Sequence, residues 1–114
     1  MAETQKILDQ ESPAINTEAA MAAPGTGKTW VVSTLTICNA GNAASTARVH
    51  ACIAGAASSV AQGTSNAIVY EIPVATNETV TLTLGITLAA TDILRVRSGA
   101  GVLTFTAFGV EITA

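Results

Sequence analysis

One stretch of this 114-residue chain has the residue types of a phosphate-binding loop, Pro24-Gly25-Thr26-Gly27-Lys28-Thr29. Such a loop wraps backbone N–H groups around phosphate oxygens and needs glycine at both ends of G-x-x-x-x-G-K-[ST]. Counting back from Gly27 puts Ala22 where the first glycine belongs. A nucleotide site also needs a helix after the Lys-Thr pair, with its N-terminus on the phosphate. Residues 29–39 are instead β-branched and alternate apolar with polar, which is a strand pattern. The run is therefore read as a turn that launches a strand, and no nucleotide or other cofactor is expected.

The remaining groups that could do chemistry have structural readings. His50 is the only histidine, set between Val49 and Ala51 on a strand with no local carboxylate or thiol partner, so it is read as core-edge or partner-facing. Asp92 opens a strand after Ala89-Ala90-Thr91, where its carboxylate can accept from turn N–H groups. Cys38 and Cys52 lack metal-ligand spacing. A hairpin pairing 34–39 with 46–53 separates their Cα atoms by roughly 13 Å along the ladder, beyond the roughly 7 Å that a disulfide spans. Both are expected to be free thiols. Asn77-Glu78-Thr79 matches a glycosylation sequon, which has meaning only after secretion. Trp30 and Tyr70 could stack a sugar, but in a strand-rich chain they read first as core or interface anchors. No catalytic residue, metal ligand or cofactor-binding residue is assigned.

Composition narrows the function classes further. Only 11% of residues are charged and the net charge is −3, with five dispersed cations, so there is no electrostatic footprint for nucleic acid. Mean hydropathy is +0.48, but the charge-free stretch 51–70 is interrupted by Gly55, Ser58, Ser59, Gln62 and Gly63 and does not read as a membrane span. Glu3 and Lys6 precede any apolar run, so no secretory leader is read and synthesis in a cytoplasm is expected.

The elements that must position these groups are strands. Apolar–polar alternation marks 28–39, 45–54, 67–74, 78–84, 92–97 and 102–112, and 17–23 reads as a further strand entering the Pro24 turn. Turn residues separate them at 40–42, 55–66, 73–77, 89–92 and 98–101. The expected fold is a single all-β domain, a β-sandwich or jelly roll of seven or eight strands over 24–114, with an extended N-terminal arm over 1–23 that is itself a candidate first strand. Ile68, Tyr70 and Ile72 are assigned to one face of their strand. Val80, Leu82 and Leu84 are assigned to the inner face of theirs.

The outward positions are unusual for a soluble sandwich. Thr34, Thr36, Thr79, Thr81, Thr83, Thr104 and Thr106 stand where lysine and glutamate ordinarily would. Such a surface is polar, uncharged and cheap to desolvate, as suits a subunit covered by neighbours. Thr79, Thr81 and Thr83 are therefore candidate interface residues. Ile7 and Leu8 join them as an apolar anchor by which the arm docks on a neighbour through an added strand.

The run from Pro24 through Gly27-Lys28-Thr29-Trp30-Val31-Val32-Ser33 to Cys38-Asn39, then Ile72-Pro73-Val74 to Asn77-Glu78-Thr79, Gly85-Ile86-Thr87-Leu88-Ala89-Ala90-Thr91-Asp92 and Phe108-Gly109-Val110-Glu111-Ile112 resembles a family of small phage virion proteins usually encoded among head and tail genes. The chain departs from that pattern by inserting Gly25-Thr26 in the first turn and by a poorly matching arm. The resemblance implies a non-enzymatic virion structural protein, foremost a capsid decoration or cement protein. A tail, neck or baseplate protein acting as a fibre adaptor is the alternative, and a free carbohydrate-binding module is a third reading from another class. The implied partners are further copies of the chain, as a homo-oligomer such as a trimer, and the major capsid protein. Nucleic acid and membrane are not among them.

Overall fold

The structure is a computed structural model that describes residues 2–55, 67–100 and 102–114. It is all-β: the described residues form eight strands and one 3-10 turn, Ile53–Gly55, with no α-helix. The strands are β1 (Ala2–Glu11), β2 (Glu18–Ala20), β3 (Lys28–Cys38), β4 (Ser45–Cys52), β5 (Ala67–Val74), β6 (Thr79–Leu88), β7 (Ile93–Ser98) and β8 (Thr104–Thr113). They make two four-stranded sheets in the orders β1-β8-β3-β6 and β2-β7-β4-β5, every pair antiparallel. That interleaving of early and late strands is the jelly-roll form of the expected β-sandwich.

The core lies between the sheets. Val32, Leu35 and Ile37 of β3 and Phe105 and Ala107 of β8 face Ala47 and Val49 of β4 and Leu94 and Val96 of β7, all of them buried. Period-2 alternation sends the neighbouring side chains outward, which is why the polar residues of these strands tolerate such apolar company.

Several expectations are corrected. β3 pairs with β6 and β8, not with β4 in a hairpin, so Cys38 and Cys52 stand in different sheets. Both are free thiols, Cys38 half-buried and Cys52 buried, but the separating cause is the crossover between sheets and not a hairpin register. The N-terminal arm is extended as expected, yet it lies on its own sandwich. Nine residues of β1 pair with β8, from Ala2↔Thr113 to Glu11↔Phe105, and β2 pairs with β7. One edge of β1 is thus paired within the chain, along β8. Of the expected connections, residues 56–66 and Gly101 lie outside the described residues.

A line of irregularities crosses the first sheet. Register slips at Leu8 in β1, at Ser33 in β3 and at Leu84-Gly85 in β6, where two residues oppose Ser33. Gly85 takes φ +68, as an L residue rarely does, and this bulge lets β6 run on to Leu88 in place of ending at Leu84. The bulge also turns Leu84 outward, so it is exposed and does not share the inner face with Val80 and Leu82. In β5 a residue with positive φ, Glu71 at 56°, breaks the alternation in the same way. Ile68 and Tyr70 are exposed, whereas Val69 and Ile72 pack on the core, in place of the single Ile68-Tyr70-Ile72 face.

Candidate interface on the outer face of the β1-β8-β3-β6 sheet

The register places the outward threonines in rows across the strands. Thr36 of β3 faces Thr106 of β8 on one side and Thr81 of β6 on the other, and Gln10 of β1 continues the row beyond Thr106. The next row is Ile7, Phe108, Thr34 and Thr83, and a third joins Thr104, Cys38 and Thr79. Adjacent strands lie about 4.8 Å apart and alternate residues about 6.8 Å apart along a strand, so this is a dense sheet of hydroxyls and methyls. No charged residue stands in any of the three rows. Thr79, Thr81, Thr83 and Thr104 are exposed and Thr34 and Thr36 half-buried. Thr106 is buried, because the Gln10 amide lies over it and donates to its hydroxyl at 3.3 Å.

Beside the bulges, the outer face holds a shallow groove of about 660 Å³ lined by Ile7, Ser33, Phe108, Val110 and the chain around Lys6. Ile7 is 53% exposed and Phe108 36%, giving the threonine rows an apolar border. Leu8 does not belong with them. It is the extra residue at the β1 bulge, points the other way and is 8% exposed within the core. The candidate interface therefore keeps Ile7, Thr79, Thr81 and Thr83, loses Leu8 and gains Phe108. An exposed phenylalanine directly before Gly109 was legible only as part of a closing strand.

Charge is concentrated elsewhere. All three arginines are on the opposite sheet, with Arg48 on β4 and Arg95 and Arg97 on β7. Arg48 donates to Glu71 and stacks over Tyr70 at 4.5 Å, and Arg95 lies 3.6 Å from Glu18. The two lysines gather at the end of the first sheet, where Lys6 and Lys28 lie 3.3 and 3.7 Å from Glu111. Glu111 also accepts from the Trp30 indole at 2.9 Å. Trp30 is thus buried and committed, on a different sheet from Tyr70, and the two cannot form a sugar-stacking pair. Lys28 follows the Gly25–Gly27 turn directly into β3, and its amide donates back to the Gly25 carbonyl.

The other sequence candidates fall into structural positions. His50 is fully buried on β4 opposite Arg95. Asp92 accepts from the amides of Ala89 and Ala54, both at 2.9 Å, so it holds its own turn and also ties it to the end of β4. No group of three or more His, Cys, Asp or Glu residues among the described residues could hold a metal ion. No helix of the described residues is long and apolar enough to cross a membrane.

No protein-family model matches the chain, and no curated protein matches it in sequence.

Carboxylates outside the threonine rows set the response to acid. Backbone amides of Ala54 and Ala89 hold the Asp92 carboxyl below its ordinary range. The Thr46 hydroxyl and Arg48 do so for Glu71, and the Trp30 indole, Lys6 and Lys28 for Glu111. Each such group stabilises the fold above its unfolded pKa and loses that contribution as pH falls through the lowered folded value. Glu11 has the opposite sign, since burial and nearby Asp9 push it up. With three groups lowered and one raised, the melting temperature is expected to hold from pH 7 down to about 4 and then fall steadily. Thermal melts at intervals from pH 7 to 3 check this. A melting temperature that rises on acidification would show the signs to be wrong.

Proposed function

We propose that this chain is a non-enzymatic structural component of a bacteriophage virion, a decoration or cement protein seated on the capsid. The observation that carries the reading is the outer face of the β1-β8-β3-β6 sheet, three uncharged threonine rows edged by exposed Ile7 and Phe108. Burying neutral hydroxyls against another protein costs far less than burying charges, and the apolar border supplies the gain in area. This chain carries its arginines on the other face, which leaves one side suited to contact and the other to solvent. The jelly-roll fold adds support by analogy alone, since capsid proteins and lectins both use it. The sequence resemblance to phage head and tail proteins points the same way. The partners are the major capsid protein and further copies of the chain.

Quantitative mass spectrometry of purified particles tests the reading. A copy number on the scale of the capsid lattice supports decoration. One on the scale of a single tail ring moves the protein to the neck or baseplate, and absence from particles removes the virion role. The docking face has its own test. Ile7→Asp, at an exposed position, is expected to lower occupancy on particles about tenfold, the equivalent of about 1.4 kcal/mol, while the free chain stays folded. Undiminished occupancy would exclude this face.

A further inference from the structure

The two long sides of the sandwich are finished differently. On the β1/β2 side the seam between the sheets is closed: Leu8 and Met21 are buried there, and Asp9 of β1 accepts from the Ala22 amide at 2.7 Å just past β2. On the other side β5 and β6 are the last strands of their sheets, joined by four residues that hold them together. There Val69, Ile72, Val80, Leu82 and Ile86 pack on the core but remain half-exposed. No described residue covers the apolar seam along that side.

The strand edges differ in the same way. An unpaired edge is a template for another chain unless it is short, charged, bulged or interrupted by proline. β2 has three residues. β1 carries Glu3, Lys6, Asp9 and Glu11 and a bulge. β5 has the Glu71 bulge and Pro73. β6 has none of these devices over Thr79–Leu84, six residues alternating threonine with valine or leucine, without charge or proline. Its one bulge begins only at Leu84-Gly85. Such a segment left open is an aggregation hazard, so a native occupant is called for.

We propose that the free edge of β6 pairs antiparallel with β6 of a second copy about a two-fold axis, making one continuous sheet from two and covering the open β5/β6 seam. A second copy fits because the strand is uncharged throughout, so an identical strand laid against it opposes no like charges. Its half-exposed valines and leucines meet the same groups from the partner, as an isologous contact requires. The two-fold pair also closes on itself, since the remaining edges are the blunted ones. The pairing rests on the assembly reading above for its purpose, and the two can fail separately.

Sedimentation equilibrium of the purified chain, alongside Thr81→Lys, Thr83→Lys and Thr81→Val, tests it. The wild-type chain and Thr81→Val are expected to sediment as dimers. Each lysine variant that keeps the wild-type far-ultraviolet circular dichroism is expected to sediment at half that mass, because lysine on an edge blocks pairing. A wild-type monomer or trimer overturns the proposal, and so does a folded lysine variant that remains dimeric. A monomeric chain found on particles sinks the pairing and leaves the virion role standing. A β6-dependent dimer missing from particles does the reverse.

Discussion

Gly109→Ala is expected to lower stability by about 3 kcal/mol or more and the melting temperature by about 12 °C. Gly109 faces Val32 of β3 and Lys6 of β1 at the bulge line. A Cβ built on it falls 1.9 Å from the Val31 carbonyl oxygen and 3.1 Å from the Val32 Cα. Those are backbone atoms of the central strand, so no rotamer change relieves the clash. Either β8 moves away from β3, breaking ladder hydrogen bonds to two strands, or the register slips. Differential scanning calorimetry on the variant checks the loss. Gly25→Ala is the contrast, since nothing lies within 4 Å of a Cβ there and its cost is confined to the backbone strain of φ +99. A Gly109→Ala melting temperature within 2 °C or so of wild type would mean that the bulge line is not closely packed.

Asn39→Ala is expected to cost about 3 kcal/mol, roughly 1 for each side-chain hydrogen bond removed from a buried site. Asn39 is fully buried just past β3. Its amide donates to the carbonyls of Ala43 at 2.9 Å and Val74 at 3.1 Å, and its carbonyl oxygen accepts from the Gly41 amide at 3.0 Å. Its backbone bonds Glu78 and Asn77 in the β5–β6 turn. The side chain thereby fastens the crossover between sheets to the end of β5, and the backbone fastens it to the β5–β6 turn. The alanine variant removes the donor that these two carbonyls share, and chemical denaturation should show a lower midpoint at an unchanged slope. A loss below about 1 kcal/mol would mean that water replaces the amide at little cost.

How much of this was legible depended on the physical signal each feature leaves. Alternation in 28–39 and 78–84 marks strands reliably, because one face of each is buried against a core, and the outward threonines of β6 followed directly. Which strands pair leaves no such mark. The hairpin between β3 and β4 was the economical assumption for a connection containing Gly41 and Asn42, yet this connection crosses between sheets. The arm was illegible for a different reason. As an edge strand with only Leu8 buried, β1 can carry Glu3 and Lys6 on exposed and Asp9 and Glu11 on half-buried positions, and its composition then resembles a tether more than a strand. Bulges shift the phase of alternation, so Leu84 was placed on the inner face with Val80 and Leu82, Ile72 was grouped with Ile68 and Tyr70, and Leu8 with Ile7. Of the candidate interface residues, Thr79, Thr81, Thr83 and Ile7 are exposed as the pattern implied, whereas Phe108 left no signal beyond its place in a closing strand.

The place of β8 between β1 and β3 also governs when the molecule can come into being. Both neighbours of β8 are made before it, and β1 has no other partner in its sheet. As the chain leaves the ribosome, β1 therefore waits unpaired until β8 follows it. Only when residues 104–113 emerge can the first sheet zip together, with the two ends of the chain meeting at Ala2 and Thr113. Completion of the first sheet is then a late event that rests on pairings distant along the chain, the kind that forms slowly. A product that stops before residue 104 lacks the strand that joins β1 to β3, and its first sheet stays in two parts.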